Sequence, residues 1–153
     1  KETTTTKTAA KTSSNPSYKV HEACDILTNE VAVSLSAADA GTTDVPDTKS
    51  GDINVSNCTY YSVSSKTSIG LLARSPKSKA GADSNDYQFN KGLPADAQKV
   101  DGFGDAAYWS PSYGQLNILQ DGTWYILSLG SVKASERNLT QTEQFANAIK
   151  DQL

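Results

Sequence analysis

The chain has 153 residues, enough for one domain with a packed core and too few for two ordinary ones. Acidic residues outnumber basic ones by 17 to 14, for a net charge of −3. That balance argues against a nucleic-acid surface, which needs a basic stripe to exchange counterions, and no run of about 18 apolar residues is present to span a membrane as a helix.

Residues 1–17 (KETTTTKTAAKTSSNPS) contain no large apolar side chain. Such a segment buries too little surface to offset an ordering entropy of about 1–2 kcal/mol per residue, so it is expected to be a disordered tether. A single folded domain should then occupy 18–153. The chain starts at Lys1 without a methionine, as expected of a processed product.

In ACDILTNEVAVSL (23–35), Leu27, Val31 and Leu35 recur at helical spacing, which predicts a helix with one buried stripe. Thr28 is a suitable N-cap for its second part, with Glu30 in the first turn. Residues 36–54 are rich in Asp, Gly, Thr and Ser and read as an exposed loop. Two strands follow, 58–64 (CTYYSVS) and 68–74 (SIGLLAR), joined through Ser64, Ser65 and Lys66 as a hairpin. The basic run Arg74 to Lys79 (RSPKSK) reads as a solvated loop. A short helix is expected over 83–92, with Tyr87 and Lys91 or Phe89 turned inward and Gly92 as its stop.

Three β-type runs come next: 106–110 (AAYWS), 115–120 (QLNILQ) and 123–130 (TWYILSLG). Asp121-Gly122 between the last two is a strong hairpin signal, because a type I′ turn needs positive φ at both central residues. Pro111 to Gly114 supplies the turn before them. The last element, 139–153 (LTQTEQFANAIKDQL), is a helix with Thr140 at its cap and Glu143 three residues on. Phe145, Ala146, Ile149 and Leu153 form its buried face. The order helix-strand-strand-helix-strand-strand-strand-helix predicts an α+β fold, with an antiparallel sheet of about five strands packed against helices.

Within 100–109 (VDGFGDAAYW), GFGDAA fits the glycine fingerprint G-x-G-x-x-A. A dinucleotide loop must open a helix whose amides receive the pyrophosphate, whereas a strand and Pro111 follow this one. Gly102 and Gly104 are therefore assigned to a tight strand entry, with Asp105 bonding backbone amides of the turn. Asp121 and Gly122 are placed in the hairpin turn. His21, the only histidine, has no G-x-S-x-G partner and reads as a surface residue. Asp44/Asp47, Asp83/Asp86 and Asp101/Asp105 are acidic pairs that match no calcium-loop register and read as turn-forming aspartates. No pattern implies a metal or a cofactor. Trp109, Trp124, Tyr108 and Tyr125 fall on strands and are the candidate ligand-contact aromatics. Asn54, Asn57 and Asn138 open glycosylation sequons, which matter only in a eukaryotic source.

Cys24 and Cys58 are the whole thiol inventory and fit neither a zinc pattern nor a C-x-x-C motif. A structural disulfide in an exported protein is favoured over two buried free thiols. Closing that loop would restrain the unfolded chain by about 3–4 kcal/mol.

Taken together, ACDILTNEVAVSL, NCTYY, VDGFGDAAYW, GTWYILSLG and TEQFANAIKDQL resemble a group of exported lipoproteins of Gram-positive bacteria, mainly actinobacteria, over residues 23–153. The resemblance implies a Cys24–Cys58 disulfide. It also implies a Thr-rich link to a lipidated N-terminal cysteine absent from this chain, and a place on the outer face of the membrane. Ser36 departs from the pattern, which has Gly after the first helix. The resemblance carries compartment and fold, and no particular activity. A non-enzymatic cell-envelope domain that binds an unidentified envelope ligand or protein is the expected function, without nucleic acid and with membrane association only through the lipid anchor. A hydrolase or accessory enzyme using loop carboxylates such as Asp101 and Asp105, or a structural interaction module, are the alternatives.

Overall fold

A computed structural model describes residues 17–35 and 40–153. The expected tether lies outside these residues apart from Ser17, and so does Ser36. The fold is α+β: one antiparallel sheet of seven strands, ordered β1-β2-β3-β7-β6-β5-β4, with helices packed on it. Two of those strands were not anticipated.

The expected first helix is in fact two, α1 (Ala23–Ile26) and α2 (Asn29–Ser34). The break falls at Leu27 and Thr28, where Thr28 turns extended and its hydroxyl accepts from Val31 N at 3.3 Å. Capping a new helix there satisfies an amide that an unbroken helix would have bonded along its axis. The stretch read as a loop contains β1 (Ala40–Ser50) and the start of β2 (Ile53–Ser62). Its polar composition hid an edge strand, which needs little apolar character because it has only one neighbour. One of the two register shifts against β2 lies between Val45 and Thr48, around Pro46, whose nitrogen has no hydrogen to give the ladder.

From β2 the chain returns through a turn at 63–66 into β3 (Thr67–Pro76). The basic run is therefore not a loop: β3 reaches Pro76, and α3 (Lys79–Lys91) starts after an interval of two residues. Ser78 caps α3 by accepting from Gly81 N at 3.2 Å, so the helix begins four residues ahead of the expected start. Asn85 and Phe89 face inward from α3, and Tyr87 is exposed. The three-residue strand β4 (Gln98–Val100) precedes the glycine turn. Next come β5 (Ala106–Ser110), β6 (Gln115–Gln120) and β7 (Thr123–Ser131) where the pattern put them. The β6–β7 turn has φ of 49° at Asp121 and 76° at Gly122. Helix α4 (Leu139–Ile149) closes the fold, followed by a 3₁₀ turn at 150–152. Its cap is Asn138, not Thr140: Asn138 Oδ1 accepts from Gln141 N at 2.9 Å.

Strand alternation divides the sheet into two faces. On the core face, Cys58, Leu71, Leu127, Leu116 and Trp109 form one row across five strands, and Ser56, Ala73, Tyr125, Ile118 and Ala107 form the next. Helix α4 packs on this face through Phe145, Ala146 and Ile149, all fully buried. Helix α1 is tied to it by the Cys24–Cys58 disulfide, with Cα atoms 5.1 Å apart. On the outer face α3 packs across β3 and β7.

Candidate functional site

The glycine turn is built on a crowded junction. Asp105 N donates to Leu119 O at 2.7 Å, and Asp105 Oδ2 accepts from Asp121 N at 2.9 Å. The turn is thereby fastened to the end of β6 and to the β6–β7 turn at once. Gly104 sits at φ +53°, and a Cβ there would lie 2.4 Å from Leu119 O. Gly102, at φ +92°, faces open space. The strand β5 follows directly, so no helix N-terminus faces the turn and its amides are not arranged for a pyrophosphate.

Beside this turn lies a cleft of about 470 Å³. Its walls include Phe89 and Leu93 from the end of α3 and beyond, Phe103 from the turn, and Tyr108 from β5, with Lys99 and Asp105 also lining it. Phe89 and Tyr108 pack ring to ring with centroids 5.0 Å apart. Both are nearly buried, whereas Leu93 is about half exposed and Phe103 partly so. Burial pushes the Tyr108 phenol above its usual pKa, so it stays neutral. Asp101 pairs with Lys99 at 3.1 Å on the same rim.

A second, larger cleft of about 650 Å³ lies between residues 17–21, the β6–β7 turn and residues 151–153. His21 lines it, with its ring edge-on to Tyr125 at 5.6 Å and its backbone N donating to Ser75 Oγ at 2.9 Å. The histidine is thus half-buried packing rather than a free surface group. Desolvation, and secondarily the Lys19 charge, lowers its pKa. Desolvation pushes Tyr125 up to about 12. Both rings are uncharged at neutral pH, and among the described residues no acid or nucleophile is hydrogen-bonded to the His21 side chain.

The four candidate aromatics are not brought together. Tyr108 and Trp109 are consecutive in β5, as Trp124 and Tyr125 are in β7, so alternation sends one of each pair to either face. Trp109 (4% exposed) and Tyr125 (1%) belong to the core. Tyr108 and Trp124 share the outer face, both against Phe89. Sequence reasoning missed Phe103 and Leu93, which carry no periodic signal in their loops. It also missed Arg74, whose place at the end of an apolar strand run was masked by the lysines after it.

The acidic pairs are occupied locally. Asp83 binds Lys79, and Asp86 accepts from Asn90 Nδ2. Asp44 and Asp47 fall in β1, where side chains lie outside the described residues. Among the described residues no group of three His, Cys, Asp or Glu side chains is placed to hold a metal ion. Of the sequon asparagines, Asn54 is buried against the core, Asn57 is half-buried, and exposed Asn138 caps α4. Compared with known protein families, curated proteins and solved structures, the chain matches none.

Proposed function

We propose that this chain is a non-enzymatic, extracytoplasmic domain that binds a ligand in the glycine-turn cleft. The carrying observation is the cleft itself: about 470 Å³, within the range of small-molecule sites, with aromatic and aliphatic walls and a few polar groups at its rim. Its wall is pre-formed, because the turn is bonded to both β6 and the β6–β7 turn, so little ordering entropy is lost on binding. The disulfide supports an oxidising compartment. The resemblance to exported lipoproteins supports a tether to the outer face of the membrane. The loop carboxylates serve turns and ion pairs in this reading and take no part in chemistry.

The test is a thermal-shift and amide-resonance screen of the chain against cell-wall glycans, lipids, peptides and envelope extracts. At least one class should raise Tm and shift the resonances of residues 99–108. Leu93→Glu, on a half-exposed side chain, should abolish both effects and leave the free protein's Tm unchanged. No stabilisation by any class, shifts confined to other regions, or turnover of the bound compound would each overturn the proposal.

A further inference from the structure

On the outer face, Arg74 of β3 pairs across the ladder with Trp124 of β7, and its guanidinium carbon lies 5.2 Å from the indole centroid. Both partners in this stack are held in place. Asn85, fully buried in α3, donates to Arg74 O at 2.7 Å and to Gly122 O at 2.9 Å, and accepts from Arg74 Nε at 3.2 Å. The indole Nε1 donates to Asn117 Oδ1 at 3.0 Å, and Phe89 meets the ring edge-on at 5.9 Å. A guanidinium fixed this way keeps its donor fork in one orientation.

That fork has no acceptor among the described residues. The ion pairs among the described residues are Lys79–Asp83, Lys99–Asp101 and Lys133–Glu136, and the hydrogen bonds of the Arg74 side chain end at Nε. Burial disfavours the charged form and lowers its pKa, and no carboxylate among the described residues offsets it. With none of the described acids beside it, this cation is open to an anion arriving from outside. The next row of the same face is Leu72 opposite Ile126, both partly buried. Lys99, the other cation that the strands place on this face among the described residues, stands on the far edge strand and is paired with Asp101. A lone guanidinium beside an apolar row matches one negative charge on an apolar body. A phosphate dianion would call for a second cation.

We infer that Arg74, with Leu72 and Ile126, binds a small amphipathic monocarboxylate: the carboxylate on the Nη groups, the apolar part along the Leu72–Ile126 row. The site is distinct from the glycine-turn cleft, whose lining includes none of Arg74, Leu72 and Ile126. It stands whether or not that cleft takes a ligand.

The chain has two arginines and two tryptophans, so their side-chain N–H resonances are few and assignable. Titration with octanoate should move the Arg74 Nε–H and Trp124 Nε1–H signals saturably, with a Kd below about 10 mM. Octanamide, of the same shape without the charge, should bind at least about tenfold more weakly, because hydrogen bonds to a charged group are the stronger kind. Arg74→Gln should weaken octanoate binding by a similar factor. Leu72→Gln, on a partly buried side chain one row away, should weaken it while leaving Arg74 and its partners intact. Absence of saturable shifts in the unaltered protein, equal binding of octanamide, tighter binding of octyl phosphate, or shifts centred on Arg137 would each overturn the inference. The first two need no variant, so a misfolded Arg74→Gln leaves the inference open to refutation.

Discussion

Gly102 and Gly104 stand two residues apart in the same turn, both with positive φ, yet they are constrained differently. At Gly104 a methyl group meets Leu119 O at 2.4 Å and Ile118 Cγ2 at 2.8 Å, so alanine there is strained and also forces β6 away. At Gly102 the space is open and only the backbone conformation is unfavourable. Gly102→Ala should cost about 1 kcal/mol, and Gly104→Ala about 3 kcal/mol or more, by urea denaturation. Equal costs would show that β6 gives way freely. The sequence marked both glycines as turn residues. It could not rank them, because the difference lies in a carbonyl fifteen positions along the chain. Arg74 was obscured in the same way: its partners, Asn85 and Trp124, are distant in sequence.

Among the elements, those with strong periodicity were legible and those defined by pairing were not. β5, β6, β7 and α4 follow from alternation, the Asp121-Gly122 turn and the Phe145–Ile149 stripe. β1 and β4 have little apolar pattern of their own and exist because β2 and β5 present an open edge. The start of α4 illustrates a competition between two capping signals. Thr140 with Glu143 fits a capping box, but Asn138 with Gln141 has the same spacing and begins two residues earlier. Asparagine is the stronger cap, and the earlier start adds Leu139 to the residues packed against the core. Asn138→Ala should therefore destabilise the protein by about 1 kcal/mol, while Thr140→Ala should stay within about 0.5 kcal/mol. The reverse order in denaturation midpoints would return the cap to Thr140.

For the whole molecule, the disulfide joins the least regular part of the fold to its centre. It links residues 34 apart, and Cys58 lies fully buried in the row that crosses to Trp109. The Cys24→Ala/Cys58→Ala double variant should lose about 3–4 kcal/mol, a large fraction of the stability of a domain this size. A loss under about 1 kcal/mol would mean that the unfolded chain gains little freedom from the cut. The position of the bond also sets how the domain responds to load. A pull arriving through the residues before Cys24 passes across the sulfur bridge into the middle of β2, and from there through the ladder to β3 and β7. Everything between the two cysteines, α2 and β1 included, lies on a slack covalent branch beside that path. The edge strand can then loosen or change partner without carrying a force applied at the N-terminal end.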